Sequence, residues 1–377
     1  MVQLAEFAPK LPACLNHCMP NGYAANCTLV RRCVNVMRDA KSSHRGSGNQ
    51  QPLARVGFIA EQLDTLTAQV RQHFEQHQPE PASFPAMASR VIDLAEHPDV
   101  DINRLSHLIE RDPAICTAVL AVANSAANRR ASPVQSIRTA VSLLGLKRVA
   151  NVAVGVACRS LFDVELRVQY ELFPQWWSRL FHAAMTEAFS ASFVAMERIR
   201  GGSETIFLAG MLHDIGKMLG LRSLAGLLVA GQVHAIPNDE TVEELLRRIR
   251  APIGAAALRT FNMPDVLVTL CSRQDDDTLP NGNEWQDAHI VRLVAALNDL
   301  RMATVNTAEP MRLLLSSART WGMQTNDILD IARQVSDHAG EVSALFAITD
   351  GSNETGYLDF VARCLTEVGW PTQTHSS

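Results

Sequence analysis

Very few stretches of this 377-residue sequence alternate polar and apolar residues with a period of two, the pattern that a half-buried strand requires. Apolar residues recur instead at spacings of three and four, between legible helix ends. Asp112-Pro113 supplies an N-cap and a first-turn proline; Ser136 caps a run containing Ala140, Val141, Leu143 and Leu144, and Gly145 is placed to end it. Val152 to Val156 comes nearest to alternation, but its Ala and Gly residues suit a buried helix better. Further helices are expected over 176–199, 204–212, 240–249 and 264–273, and three or four more between 284 and 368. The fold class is therefore all-α, with no internal repeat.

A hydrophobic fraction of 47% is ample for a core, and charged residues at 19% fall below the usual share of about 25%. Lys plus Arg number 34 against 39 Asp plus Glu, a formal charge of −5 that argues against a general positive field for holding nucleic acid; no nucleic-acid partner is expected. The N-terminus lacks the basic region and apolar run of a secretory signal. The longest apolar stretch, Val149 to Cys158, is about half the roughly 20 residues needed to span a bilayer, so no membrane span and a cytoplasmic location are expected. Eight cysteines are too sparse for a disulfide scaffold, and Cys116, Cys158, Cys271 and Cys364 each sit singly in apolar helical contexts, which predicts reduced core residues.

Residues 1–51 hold the other four cysteines and end in a Gly/Ser/Gln run with no apolar periodicity, the pattern of a flexible leader. Met37 offers an alternative start, which leaves open whether residues 1–36 belong to the native protein. Val56, Ile59, Leu63, Leu66, Val70 and Phe74 then describe an amphipathic linker helix within 52–79 that stops at Pro79-Glu-Pro81. The spacing fits about three heptads, but a lone seam this short is marginal in water, and packing on its own domain is the simpler reading.

The most specific string is FLAGMLHDIGKMLG, residues 207–220, in which His213-Asp214 interrupts an apolar helix and Gly216 and Lys217 follow. Adjacent His and Asp at a helix end, with a further His on a neighbouring helix, can place nitrogen and carboxylate oxygen around one divalent cation, and a lysine there can neutralise phosphate. His182, one helix and one loop earlier, is the candidate further His. These residues resemble the motif of the HD superfamily of metal-dependent phosphohydrolases: a leading His, then His-Asp, then a distant Asp, for which Asp299 is the candidate and the neighbouring Asn298 an equally good alignment choice.

A second resemblance lies upstream. Phe84-Pro85, Asp112-Pro113-Ala114, Asn124-Ser125, Ser136-Ile137, Ala140 and Leu144-Gly145 fall where the HDOD domain, the HD-related output domain of bacterial signalling proteins, carries its typical residues. The resemblance covers about 84–275 and implies a multi-helix HD-like fold; it leaves the C-terminal helices unexplained, and the helical spacing of Ile328, Ile331, Ala332 and Val335 predicts that residues 284–370 pack on that core as additional helices. Relatives that cleave cyclic dinucleotides carry further histidines and a Gly-Tyr-Pro element after the His-Asp pair. Here Arg250 stands where a His would precede Pro-Ile-Gly-Ala, and Arg273-Gln274 stand near where a later His would fall.

Two functions follow from the resemblance. The first is a regulatory signal-transduction protein whose HDOD domain binds a protein or small-ligand partner and whose HD metal site is degenerate. The alternative is a metal-dependent phosphohydrolase acting on a nucleotide or cyclic nucleotide through one divalent metal ion on His182, His213, Asp214 and Asp299, with Lys217 on phosphate. A purely structural reading stands beside both: His213 and Asp214 can simply bond each other and cap helix ends, because a buried Asp must be paired somewhere.

Other candidates carry less. Cys14, His17, Cys18, Cys27 and Cys33 match no paired zinc knuckle. Arg129-Arg130 reads as a solvated turn, Asp275 to Asp277 lacks the Gly and closing Glu of a calcium loop, and Trp176-Trp177 is expected to divide between core and surface. Deleting residues 1–51 should leave the thermal unfolding midpoint nearly unchanged in a melting scan; a loss of more than about 5 °C would show that the cysteine cluster is folded in.

Overall fold

The computed structural model describes residues 57–78, 85–95, 102–124, 133–162, 167–199, 206–276, 279–280, 282, 285–302, 307–346, 348 and 356–371. The leader with Cys14, His17, Cys18, Cys27 and Cys33 lies outside the described residues, as do Phe84, Ser125, Arg129, Arg130 and Asp277. Sixteen α-helices and no β-strand occur among the described residues. No single one of these helices is long and apolar enough to cross a membrane.

The chain divides into two compact units. Of the described residues, the smaller holds those within 57–78, 167–174 and 219–253, and the larger those within 85–162, 175–218 and 254–371. In the smaller unit, α1 (Ala60–Gln76) buries Leu63, Leu66, Val70 and Phe74, the stripe that its spacing of three and four predicts. Residues 219–253 receive it: the Phe58 N–H donates to Thr241 Oγ1 at 3.2 Å, Arg248 donates to Asp64 at 2.6 Å, and His73 lies over Gly226. The amphipathic helix thus packs within its own unit. A short helix, α7 (Arg167–Leu172), belongs to the same unit.

The larger unit begins with α2 (Ala86–Ala95), α3 (Ile102–Ile109), α4 (Pro113–Ala123), α5 (Ile137–Leu144) and α6 (Leu146–Phe162). Their ends follow the local chemistry of the sequence. Asp112 Oδ1 accepts from the N–H groups of Ala114 and Ile115, Ser136 Oγ accepts from Thr139 N–H, and Gly145 leaves α5 at φ +83°, where a side chain would be strained. Asn124 closes α4 by holding both backbone groups of Val134: its Oδ1 accepts from the Val134 N–H at 2.7 Å and its Nδ2 donates to the Val134 carbonyl at 2.9 Å.

The core of this unit is built on α8 (Pro174–Arg198), whose buried residues point in every direction around the helix. Both Trp176 and Trp177 are buried for that reason, where a split between core and surface was expected. Along one flank runs α15 (Thr325–Phe346), which buries Ile328, Ile331, Ala332, Val335, Ala339 and Val342. Phe181 meets Phe346, His182 meets Ser343, Ser190 meets His338 and Arg198 meets Asp327. Numbers rise on one helix as they fall on the other, so the two are antiparallel.

A second buried helix, α13 (Gln286–Met302), lies between α9 (Ile206–Leu212) and α14 (Ala308–Thr320). Its Arg292 is fully used, donating to Ser317 Oγ, Ser316 Oγ and the Asp276 carbonyl. The last helix, α16 (Tyr357–Glu367), is tied to it by the Tyr357 hydroxyl, which donates to the Leu297 carbonyl at 2.9 Å. The remaining helices are α10 (Ile215–Val229), α11 (Asp239–Thr260) and α12 (Asp265–Arg273). The helix expected over 240–249 runs on to Thr260 through Pro252, because Ile249, Ile253 and Ala257 continue its buried stripe past the proline. Cys158 and Cys271 are buried free thiols, whereas Cys116 and Cys364 are only half-buried, against the expectation of four core cysteines.

Where α15 meets α8, burial and the Arg148 guanidinium push the His338 imidazole from 6.5 down to about 4. The unfolded chain therefore binds a proton between those values that the folded chain refuses. Stability from this group is complete above pH 6.5, falls as pH drops, and levels off below 4, a loss on the order of 1–2 kcal/mol for a half-buried imidazole. Urea unfolding at pH 7.5 and pH 5 should show a smaller acid loss for His338→Gln than for the unsubstituted protein; equal losses would contradict this.

Candidate functional site

The His-Asp pair is a turn between two helices. Ala209 and its neighbours form α9, all seven residues of which are buried, and His213 and Asp214 follow it directly before α10 begins at Ile215. The entry to this turn depends on close backbone contact. A Cβ on Gly210 would stand 2.8 Å from Ala188 Cα and 2.9 Å from the Glu187 carbonyl, so α9 touches the backbone of α8 where only glycine fits. On the exit side, a Cβ on Gly254 of α11 would meet Cys271 Sγ at 2.5 Å and Gly216 N at 3.2 Å.

His213 is buried, and its Nδ1 lies 2.8 Å from the Gly210 carbonyl. A carbonyl can only accept, so the Nδ1 carries a proton. Facing it at 3.5 Å is Glu187 Oε2, and at 3.9 Å Asp214 Oδ2. Glu187 is a carboxyl in the buried middle of α8. Burial first, then the negative fields of Asp299 and Asp214, raise its pKa from 4.5 to about 8, while the Asn298 amide and Lys217 pull it down. Burial thus favours the neutral form of this carboxyl.

From Glu187 the network continues into α13. Asn298 Nδ2 donates to Glu187 Oε1 at 2.7 Å, and Asn298 Oδ1 accepts from Arg301 Nε at 3.2 Å and Nη2 at 3.0 Å. An arginine can only donate, which fixes the orientation of the amide. The Lys217 ammonium is in direct contact with Asp214 Oδ2, one turn along α10. Gln274, at the end of α12, donates to the carbonyls of His213 and Cys271, both at 3.1 Å.

His182 is not brought to this turn by its ring. Its Nε2 lies 3.1 Å from the Ala339 carbonyl and 2.9 Å from Ser343 Oγ, and its Nδ1 lies 3.4 Å from Thr186 Oγ1. The Nε2 thus serves the α8–α15 contact, and the Nδ1 a contact within α8. Of the two neighbours on α13, Asn298 is the one that bonds Glu187, with Asp299 beside it acting through its charge. Among the described residues no group of three or more His, Cys, Asp or Glu side chains is placed to hold a metal ion. As arranged, with a lysine ammonium on Asp214 and both nitrogens of His182 engaged, the donor set does not fit the divalent cation that an HD motif implies.

Glu187, Arg301 and Gln274 were absent from the sequence-based list. A signal for Glu187 existed: it is a lone acid in the apolar run Ala183 to Ala191 at a position whose helical neighbours Ala184, Ala188 and Ala191 all face the core. Nothing comparable marks Arg301 or Gln274.

The HDOD domain family matches residues 82–276. No curated protein matches the sequence. Among solved structures, an HDOD domain protein of unknown function from Geobacter sulfurreducens is 19% identical, with 76% of this chain and all of that one covered at a TM-score of 0.54. A proposed metal-dependent phosphohydrolase from Shewanella amazonensis SB2B is 21% identical, with 74% and 100% covered at a TM-score of 0.53. These likenesses establish the all-α fold, and a family match spanning just over half of the sequence, over the capped helices and the His213-Asp214 turn described above, makes this chain a member of the HDOD domain family.

Proposed function

We propose that this protein is a regulatory signal-transduction component of the bacterial cytoplasm, in which the HDOD domain serves as a binding module for a protein or small-ligand partner and the HD turn is a degenerate metal site. The observation that carries this reading is His182. The residue that would lead the ligand set has Nε2 at the Ala339 carbonyl and Ser343 Oγ on α15 and Nδ1 at Thr186 Oγ1 on its own helix, so ligation would cost one of these contacts. A histidine committed to a helix contact supports a scaffold better than a catalyst. The free thiols of Cys158 and Cys271, the first pushed further from ionisation by burial, suit a reducing compartment.

Purified protein incubated with nucleotides and cyclic dinucleotides in the presence of magnesium, manganese or iron(II) should release no product above the protein-free background. Turnover that requires the metal, and that disappears in an Asp214→Ala protein still folded by circular dichroism, would replace this reading with the phosphohydrolase.

A further inference from the structure

The last turn of α1 carries two histidines one turn apart, and their rings stack. His73 and His77 have ring centroids 4.3 Å apart with 23° between their planes. His77 ends the helix: its N–H donates to the His73 and Phe74 carbonyls, both at 3.1 Å, and its Nδ1 lies 2.9 Å from the same His73 carbonyl. His73 faces inward. It lies so close to Gly226 of α10 that a Cβ there would stand 2.9 Å from its Cε1 and 3.0 Å from its Nε2, with the Gln169 amide of α7 at 3.9 Å from the same point. The His73 Nδ1 is buried without a hydrogen-bond partner among the described residues. A neutral ring can leave that nitrogen unprotonated. An imidazolium carries an N–H on both nitrogens, so the buried position would hold a charged donor with no acceptor, beside a second imidazole.

We propose that the His73–His77 stack is an acid-sensitive latch on the last turn of α1: with His73 neutral the turn is held on α10, and protonation of His73 releases it. Burial first, then His77, hold the His73 imidazole below its ordinary value of 6.5, so the released turn binds the proton more tightly than the held one. The hold is therefore complete above pH 6.5 and weakens as pH falls through that value. The charged neighbours do not reverse the sign. Arg71 and Glu75 of α1 are exposed, and Arg222, one turn before Gly226 on α10, is a cation like the protonated ring. Leu63, Leu66 and Val70 are buried by apolar packing that takes up no proton, so the first turns of α1 stay in place. The last turn closes just before the matched family region begins at residue 82, and the latch thus sets how much of α1 stays helical ahead of the HDOD region.

The test reads amide hydrogen exchange of the full-length protein by mass spectrometry at pH 7.5 and pH 5.5, corrected for the intrinsic rate at each pH, with the first turns of α1 as the reference. Opening of residues 73–78 should rise several-fold on acidification and by no more than about tenfold, the ceiling for one group of ordinary value 6.5 read at pH 5.5. The first turns should not follow, and in His73→Gln the rise should disappear. A nuclear magnetic resonance titration of the unsubstituted protein, with the His73 signal identified by its loss in His73→Gln, should place the His73 midpoint below 6.5, and His77→Gln should move that midpoint upward. An unchanged last turn at pH 5.5, a rise shared by the first turns, an equal rise in His73→Gln, or a His73 that titrates at or above 6.5 or ignores His77→Gln would overturn the proposal. If the last turn of His73→Gln is already open at pH 7.5, the titration of the unsubstituted protein decides.

Discussion

A carboxyl group placed in the buried middle of a 25-residue helix has to be met by donors, and the larger unit is arranged around that requirement. Glu187 sits there, with Asn298 bonded to one oxygen and His213 facing the other. Three segments distant in sequence are therefore tied at one point: α8, the turn between α9 and α10, and α13. The tie extends one step at each end, to Gly210 through His213 Nδ1 and to Arg301 through Asn298 Oδ1. Each member has a defined partner on both sides, the condition under which a buried polar chain specifies a single packing rather than weakening the core.

Two glycines let this chain close. Without a Cβ, Gly210 brings α9 onto the backbone of α8 at Glu187 and Ala188, and Gly254 brings α11 against Gly216. Either contact held one methyl group further apart would lengthen the 3.5 Å approach of His213 to Glu187. The helices C-terminal to the matched family region complete the same core from the far side. Through Tyr357 on the Leu297 carbonyl, α16 fixes α13 one residue from Asn298, and α15 meets Nε2 of His182. These contacts come from the segment that the matched family region does not cover.

Much of the fold was legible in the sequence because helix ends are written locally: Asp112-Pro113, Ser136 and Gly145 act within three or four residues of themselves. The amphipathic stripes of α1 and α15 were equally plain, since each is a periodic pattern within one helix. The turn at His213-Asp214 was found from its motif. Of its partners Asn298 was named only as an alignment choice beside Asp299, and Glu187 and Arg301 were not named, because packing between distant helices brings them to it, which no local pattern encodes. The contacts of His182 were not legible for the same reason. A helical His next to a His-Asp motif suggests a ligand, and only the position of Ser343 and Ala339 on α15 shows where its ring is used. The helix expected over 240–249 runs further because the hydrogen bond missing at Pro252 does not end a helix whose buried stripe continues beyond it.

The central claim is that Glu187 and Asn298 form one energetic unit, and a double-mutant cycle in chemical denaturation measures it most directly. Glu187→Leu strands the Asn298 amide and Asn298→Leu strands a carboxyl oxygen, so each single change should cost about 1–3 kcal/mol. Replacing both by Leu removes the donor and acceptor together and should cost clearly less than the sum, giving a coupling of about 1 kcal/mol or more. Single costs that add to within about 0.5 kcal/mol in the double variant would contradict the account, because side chains that do not depend on each other behave in that way.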